Sequence, residues 1–421
     1  MSALTHLLAG RLWSPGGFEE SVQLGFSAGR VCAWDVLPPH PPGADGVFDA
    51  RDAIVVPGLV DIQVNGALGW SFQSQHRAHF DAIVAHHLNA GTTTFLPTLV
   101  TADETTLTDS LALLADYCLA STTATLPGIH LEGPFLSPEK AGAHDPAALR
   151  LPDGPLLARF LAAANRQIRI VTLAPELPGS LELIRTLASR GIVVSAGHSA
   201  ATYAQMQAAA DAGLRFITHA GNASDWPHRA PRPEGFWGSE PGLVGTLLAD
   251  ERLSGSVILD GFHFHPSLVA PLARLKAPHG LVITSDASTV AGCPPGEYSG
   301  GGLLATVHAA GYATSGRDGR WLAGSTITLL EAVRRGVALA GLSLHTAVRL
   351  ASAAPAHHLG LSKRKGHLGI GADADCLVLN EDLSLRCVIA GGKVISKLSI
   401  SEMGYVGEGA STVSKNVPGI A

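Results

Sequence analysis

The 421-residue chain carries 29 Lys and Arg against 35 Asp and Glu, a formal net charge of −6. With no run of basic residues, that balance excludes a surface built to track nucleic-acid phosphates or an anionic membrane. Hydrophobic residues make up 46% and charged residues 15%, so a large core is available, and the length exceeds one ordinary compact domain.

The 48 glycines and 26 prolines are not periodic and speak for many loops. Five cysteines (Cys32, Cys118, Cys293, Cys376 and Cys387) are odd in number and without CxxC spacing, which argues against a disulfide framework or a thiolate metal site. The N-terminus lacks a basic stretch followed by a sufficient apolar one, and no apolar run reaches the roughly 18 residues of a membrane span. The expectation is a soluble, cytoplasmic protein with neither nucleic-acid nor membrane partners.

In chain order, residues 1–56 hold short β-like pieces (Ser21–Phe26, Arg30–Trp34, Ala53–Val56) between Pro/Gly-rich turns, with LPPHPPGADG at 37–46 as a surface loop. From residue 57, short apolar runs ending in polar residues alternate with Ala/Leu-rich helical segments, the pattern of βα units. Eight strands are expected: Val60–Val64, Thr93–Val100, Gly128–Glu132, Ile168–Ala174, Ile192–Ala196, Phe216–Ala220, Val257–Asp260 and Leu281–Ser285. Helices fall between them, for example Leu181–Arg190 and Tyr203–Ala212. Eight such units suit a closed (β/α)₈ TIM-type barrel better than an open doubly wound sheet. Helices follow at Ile327–Ala340 and Leu344–Ala353, then the glycine-punctuated strands of GHLGIGADADCLVLN and LRCVIAGGKVI. The expected fold is α/β: a hydrolase-type barrel over 57–359 and a small β-sandwich domain formed from both chain termini, 1–56 and 360–397. The tail 398–421 has weak periodicity.

Polar residues gather where these strands end. Strand one ends in Gln63 and Asn65, strand three in Glu132, strand five in His198, and strand six in His219 and Asn222. Strand seven runs into Asp260 and His263, and strand eight ends in Asp286. In a (β/α)₈ barrel such ends converge on one mouth. One carboxylate and two imidazoles form a three-ligand set for a catalytic zinc with a position left open. A metal there would lower the pKa of a water and polarise a carbonyl, and Asp286 would carry the proton. Taken singly, each residue has a plainer role, as a loop hydrogen-bonder, a turn residue or a helix cap. Four strands ending together in ligand or acid/base types favour the site.

These segments resemble the N-acetylglucosamine-6-phosphate deacetylases of the amidohydrolase superfamily. The resemblance runs through PGLVDIQVNG (57–66), GTTTFLPTLVT (91–101), HLEGPFLSPEKAGAHDP (130–146), SAGHSAATYAQ (195–205), THAGNA (218–223), EPGLVG (240–245), LDGFHFHP (259–266), ITSDAS (283–288), LAGSTITLLEAVRRGV (322–337) and GHLGIGADADCLVL (366–379). HLEGPF with GAHDP is its most specific part. The resemblance implies a homodimer and deacetylation of an N-acetylated amino sugar to the amino sugar and acetate. It implies Glu132, His198 and His219 as metal ligands, Asp286 as acid/base, and His144 as a group polarising the amide carbonyl. Asn222, Ala223, His263 and Leu322 are implied as substrate contacts.

The sequence departs from the family pattern at two places. Where many superfamily members have His-x-His on strand one, this chain has Gln63-Val-Asn65, a vestigial second-metal position. Amides are poor ligands, so one divalent ion is expected, zinc before iron or manganese. The family's phosphate-contacting Arg, which acts from the neighbouring subunit, is replaced by Ser239. Arg229 or Arg232 in the preceding loop is expected to take that role. Alternatively Trp226, Phe236 and Trp237 stack on an unphosphorylated sugar or another N-acyl amine. A non-catalytic scaffold would not need all four centre residues.

Overall fold

The computed structural model describes residues 3–37, 45–224, 228–231, 237–300, 303–316 and 319–395. Most of the expected loop at 37–46, the residues Trp226, Arg232 and Phe236, and the tail 398–421 lie outside this set.

Eight parallel strands follow one another in chain order around one sheet: Leu59–Val64, Thr92–Val100, Ile129–Glu132, Ile168–Leu173, Val193–Ala196, Phe216–Ile217, Ser254–Ile258 and Leu281–Thr284. These are barrel strands one to eight. The sheet's two edges are drawn together by parallel bridging of Val64 with Ala287 and by the Asn65 N–H donating to Ala287 O. The buried Asp61 carboxylate of strand one reinforces this seam by accepting from the Thr284 hydroxyl and the Ser285 N–H. Ile62, Leu96, Ile170, Phe216 and Val282, one each from strands one, two, four, six and eight, pack together with Ala354 and fill one end of the barrel.

The helices form where local signals are complete. Tyr203–Ala212 has the expected bounds, because Thr202 and Gln205 make a reciprocal capping box and Gly213, at φ 117°, ends it. The expected helix at 327–340 is Leu329–Ala338. The one expected at 344–353 is split into Leu344–Leu350 and Ala353–His358.

Both chain ends meet in one seven-stranded mixed sheet, in which Cys376–Leu379 pairs antiparallel with Val47–Pro57. Its hydrogen bonding is continuous, so the two layers of the expected sandwich belong to a single sheet. It rolls until Val31 N–H reaches Ala372 O and Ala374 N–H reaches Gly29 O. The enclosed face has its own core, including Leu7, Leu24, Val55, Cys376 and Ile389.

The strand His6–Ser14 was absent from the expected elements. Its register shifts between Ala9 and Arg11, so the period-two alternation that would announce it is interrupted. Gly10 at this bulge has no room for a side chain, since a Cβ would sit 2.2 Å from Arg51 O. Two further insertions were also unforeseen. One is the hairpin His228–Pro231/Trp237–Glu240 after strand six. The other is the three-stranded sheet Gly296–Gly300, Leu303–Val307 and Ala313–Ser315 after strand eight.

Candidate active site

Strands six and eight end sooner than the sequence suggests, and the reason is the backbone of the site itself. His198, His219 and Asp286 sit in left-handed backbone at φ 49°, 29° and 48°, so the chain leaves the extended conformation at each of them. Strand six shortens to two residues for this reason. Such conformations are uncommon outside glycine and gather where structure imposes them for function. Ala223, at φ 46°, is a fourth in the same mouth.

The three strand ends bring Glu132, His198 and His219 together, all buried, with ligand atoms within 4.8 Å of one another. His219 Nε2 is 2.8 Å and His198 Nε2 3.5 Å from Glu132 Oε1. His198 Nδ1 lies 2.8 Å from Lys140 O. A carbonyl only accepts, so Nδ1 carries the proton and Nε2 turns a lone pair to the centre, the tautomer a metal ligand needs. Gly142 admits this ring, since a Cβ there would stand 3.1 Å from His198 Cε1. Burial would raise the Glu132 carboxyl, but the neighbouring His198 and His219 imidazoles outweigh it and hold it well below the usual range. Gln63 Oε1, Asn65 Oδ1 and His219 Nδ1 are buried with no hydrogen-bond partner among the described residues. One carboxylate, two imidazoles, one of them with a fixed tautomer, and spare buried lone pairs fit a divalent cation.

Asp286 stands beside this set. Burial pushes its carboxyl up to about 7, helped by the Glu132 charge and opposed by His219, His263 and Asn65. A bound dication would pull it down again. His144 approaches from the GAHDP loop, its Nε2 4.0 Å from Glu132 Oε2 and its ring edge-on to His198 at 4.3 Å. Burial, with the His198 ring close by, lowers it to about 3, leaving a neutral imidazole.

Gln63 and Asn65 stand at the expected vestigial second-metal position. The structure gives each a carboxylate. Gln63 Nε2 donates to Glu132 Oε2 at 3.0 Å and Asn65 Nδ2 to Asp286 Oδ1 at 2.7 Å. His130, two residues before Glu132 and on the same strand face, is a further residue beneath the site, and its spacing is visible in the sequence. Its Nδ1 donates to Ile62 O, so its Nε2 accepts from Thr172, which accepts from Thr218, which accepts from Ser195. This buried hydroxyl chain fixes side chains beneath the site.

A cavity of about 860 Å³ opens over the centre. Asn222, Ala223, His263 and Leu322 all line it, as do Asn65, His144 and Asp286. Arg150, Arg320 and Trp321 also line it and were not singled out in the sequence. Ser239 lies in the hairpin opposite Arg229, the two being Cα partners.

The model of the Amidohydrolase family matches residues 54–395. An N-acetylglucosamine-6-phosphate deacetylase of Danio rerio is 38% identical over 373 residues, covering 84% of this chain and 87% of its own. An N-acetylgalactosamine-6-phosphate deacetylase of Escherichia coli O157:H7 is 32% identical, covering 93% and 100%. Among solved structures, a mutant N-acetyl-D-glucosamine-6-phosphate deacetylase from Mycobacterium smegmatis in complex with N-acetyl-D-glucosamine-6-phosphate is similar, with a TM-score of 0.84 and 34% identity. It covers 93% of this chain and 99% of that one. The chain therefore belongs to the metal-dependent amidohydrolase family and, within it, to the N-acetylglucosamine-6-phosphate deacetylases.

Proposed function

We propose that this protein hydrolyses the acetamide of an N-acetylated amino sugar 6-phosphate, N-acetylglucosamine 6-phosphate first, to the amino sugar phosphate and acetate. The observation that carries this reading is the buried Glu132–His198–His219 set with Asp286 beside it, inside a cavity lined by Asn222, Ala223, His263 and Leu322. Glu132, His198 and His219 hold one divalent ion, zinc before iron or manganese. When bound, that ion activates water and polarises the acetyl carbonyl. Asp286 accepts a proton from the attacking water and returns it to the amine nitrogen as the C–O bond forms and the C–N bond breaks. His144, kept neutral by burial, donates a hydrogen bond to the acetyl oxygen as negative charge develops there. Asn222, Ala223, His263 and Leu322 contact the sugar, and Arg229, the register partner of Ser239, is the phosphate contact ahead of Arg232. The protein works as a cytoplasmic homodimer.

Hydrolysis of an unphosphorylated sugar or another N-acyl amine is the less favoured reading, because the relatives named above act on 6-phosphates. Comparing kcat/KM across N-acetylglucosamine 6-phosphate, its galacto epimer, free N-acetylglucosamine and an N-acyl amino acid tests this directly. The phosphorylated sugars should lead by at least about 100-fold, the scale of a lost bidentate cation–phosphate contact. Equal turnover of the free sugar would reject the phosphate specificity.

A further inference from the structure

His263 lines the catalytic cavity, and its neighbourhood does more than place it there. Its Nδ1 lies 2.6 Å from Asp260 Oδ2, and the two side chains are only 5% and 1% exposed. The other carboxylate oxygen, Asp260 Oδ1, accepts the backbone N–H groups of Phe262 and His263, each at 2.9 Å. The Asp260 carbonyl in turn accepts from Arg335, which is paired with Glu331. Asp260 is thus tied down at its backbone and at both carboxylate oxygens. Hydrogen bonding from His263 and from the loop N–H groups outweighs burial and keeps its carboxyl below the ordinary range.

An ionised carboxylate only accepts, so Nδ1 of His263 always carries a proton. That settles which nitrogen remains for the cavity. Nε2 of His263 has no hydrogen-bond partner among the described residues.

We infer that Asp260 is a positioning residue for substrate recognition: it locks the His263 imidazole in the form that presents Nε2, and Nε2 hydrogen-bonds the bound sugar phosphate. This rests on the amino-sugar phosphate reading above. Asp260 does not touch the substrate; it acts through the ring.

Asp260→Asn separates this role from a merely structural one. The amide keeps an oxygen for the N–H groups of Phe262 and His263, so the loop is preserved. Its NH₂ now faces Nδ1, and two donors cannot pair. The ring must move or exchange tautomers, placing the proton on Nε2. In the full-length protein loaded with its metal, Asp260→Asn should raise KM for N-acetylglucosamine 6-phosphate by about 10- to 100-fold, the scale of a buried group left wrongly paired. The kcat should change by no more than a few fold. His263→Gln should have an effect of similar size, and the double variant should be no worse than His263→Gln alone. A strongly downfield Nδ1 proton in the ¹H NMR spectrum of the wild-type protein should vanish in Asp260→Asn. Metal content and Tm serve as controls for folding. An unchanged KM, or single effects that add in the double variant, would overturn the inference. Wild-type protein inactive on every sugar phosphate would instead reject the functional reading, while the NMR signal would still report the Asp260–His263 pair.

Discussion

The centre of the barrel mouth and its rim are built in different ways. At the centre, Glu132, Asp286 and His198 are each fixed from behind by a specific donor or acceptor. Gln63 holds Glu132, Asn65 holds Asp286, and the Lys140 carbonyl sets the His198 tautomer. Glu132, His198 and Asp286 come from strand ends and are buried, as is Gln63. Part of the rim comes from an insertion, the segment after strand eight that carries Arg320, Trp321 and Leu322. There Trp321 is 53% exposed. On the function proposed above, the contrast separates the reaction from part of recognition. Chemistry needs groups held to fractions of an ångström, which a rigid scaffold supplies, whereas recognition is left to loops that can differ without disturbing the core.

The most severe way to probe the contrast is to attack the centre. Asp286→Asn should lower kcat by roughly a hundred- to ten-thousand-fold, the usual worth of general acid–base catalysis, with metal content unchanged. Steady-state kinetics beside elemental analysis would check both halves, and near-normal turnover would end the assignment of Asp286. Gln63→Ala should weaken metal binding by about 10- to 100-fold, as expected when the group orienting a ligand is lost. Competition with a graded chelator would measure it. Unaltered affinity would return Gln63 to the status of a bystander. Asn65→Ala removes the one hydrogen bond from Asn65 to Asp286 and should reduce kcat by about 10-fold, with metal affinity preserved.

The rim should respond more mildly. Trp321→Ala is expected to change KM by less than about 10-fold and to leave kcat alone, the signature of binding lost equally from ground and transition states. A large loss of kcat would erase the distinction between the two regions. The smallest effect concerns neither region. His87 is buried, donating to Gly66 O, and burial lowers its pKa to about 3. In the unfolded chain it titrates near 6.5. The folded state therefore binds fewer protons than the unfolded state below about pH 6.5. The stability associated with neutral His87 is complete above that pH and declines as pH falls, by up to about 1.4 kcal/mol per unit for one such group. Urea unfolding between pH 7 and 5 should show a shallower decline in His87→Gln than in the wild-type protein; parallel slopes would refute the assignment.

Much of this architecture is written in local sequence. The eight short apolar runs with intervening helical segments specify the barrel, because period-two and 3.6-residue patterns are local properties of the chain. The residues at their ends are legible for the same reason: once a run is a barrel strand, its C-terminal residue faces the mouth, and Glu132, His198, His219 and Asp286 follow. The bulge at Gly10 hid a strand because it breaks the very periodicity by which strands are recognised. The hairpin partnership of Arg229 with Ser239 was hidden because pairing register depends on a partner strand.

What only the tertiary structure decided is how these groups are held. Nothing in the spacing of Gln63 and Asn65 says that one amide would reach Glu132 across 69 residues and the other Asp286 across 221. Nor does the sequence say which nitrogen of His198 or His263 carries its proton, since that depends on a carbonyl or carboxylate supplied by the surrounding fold. The sequence determines which chemical groups arrive at the mouth, because strand order and side-chain alternation are local. Their tautomers and hydrogen-bond partners are settled only when distant segments close around them, because hydrogen bonds act over about 3 Å and depend on direction.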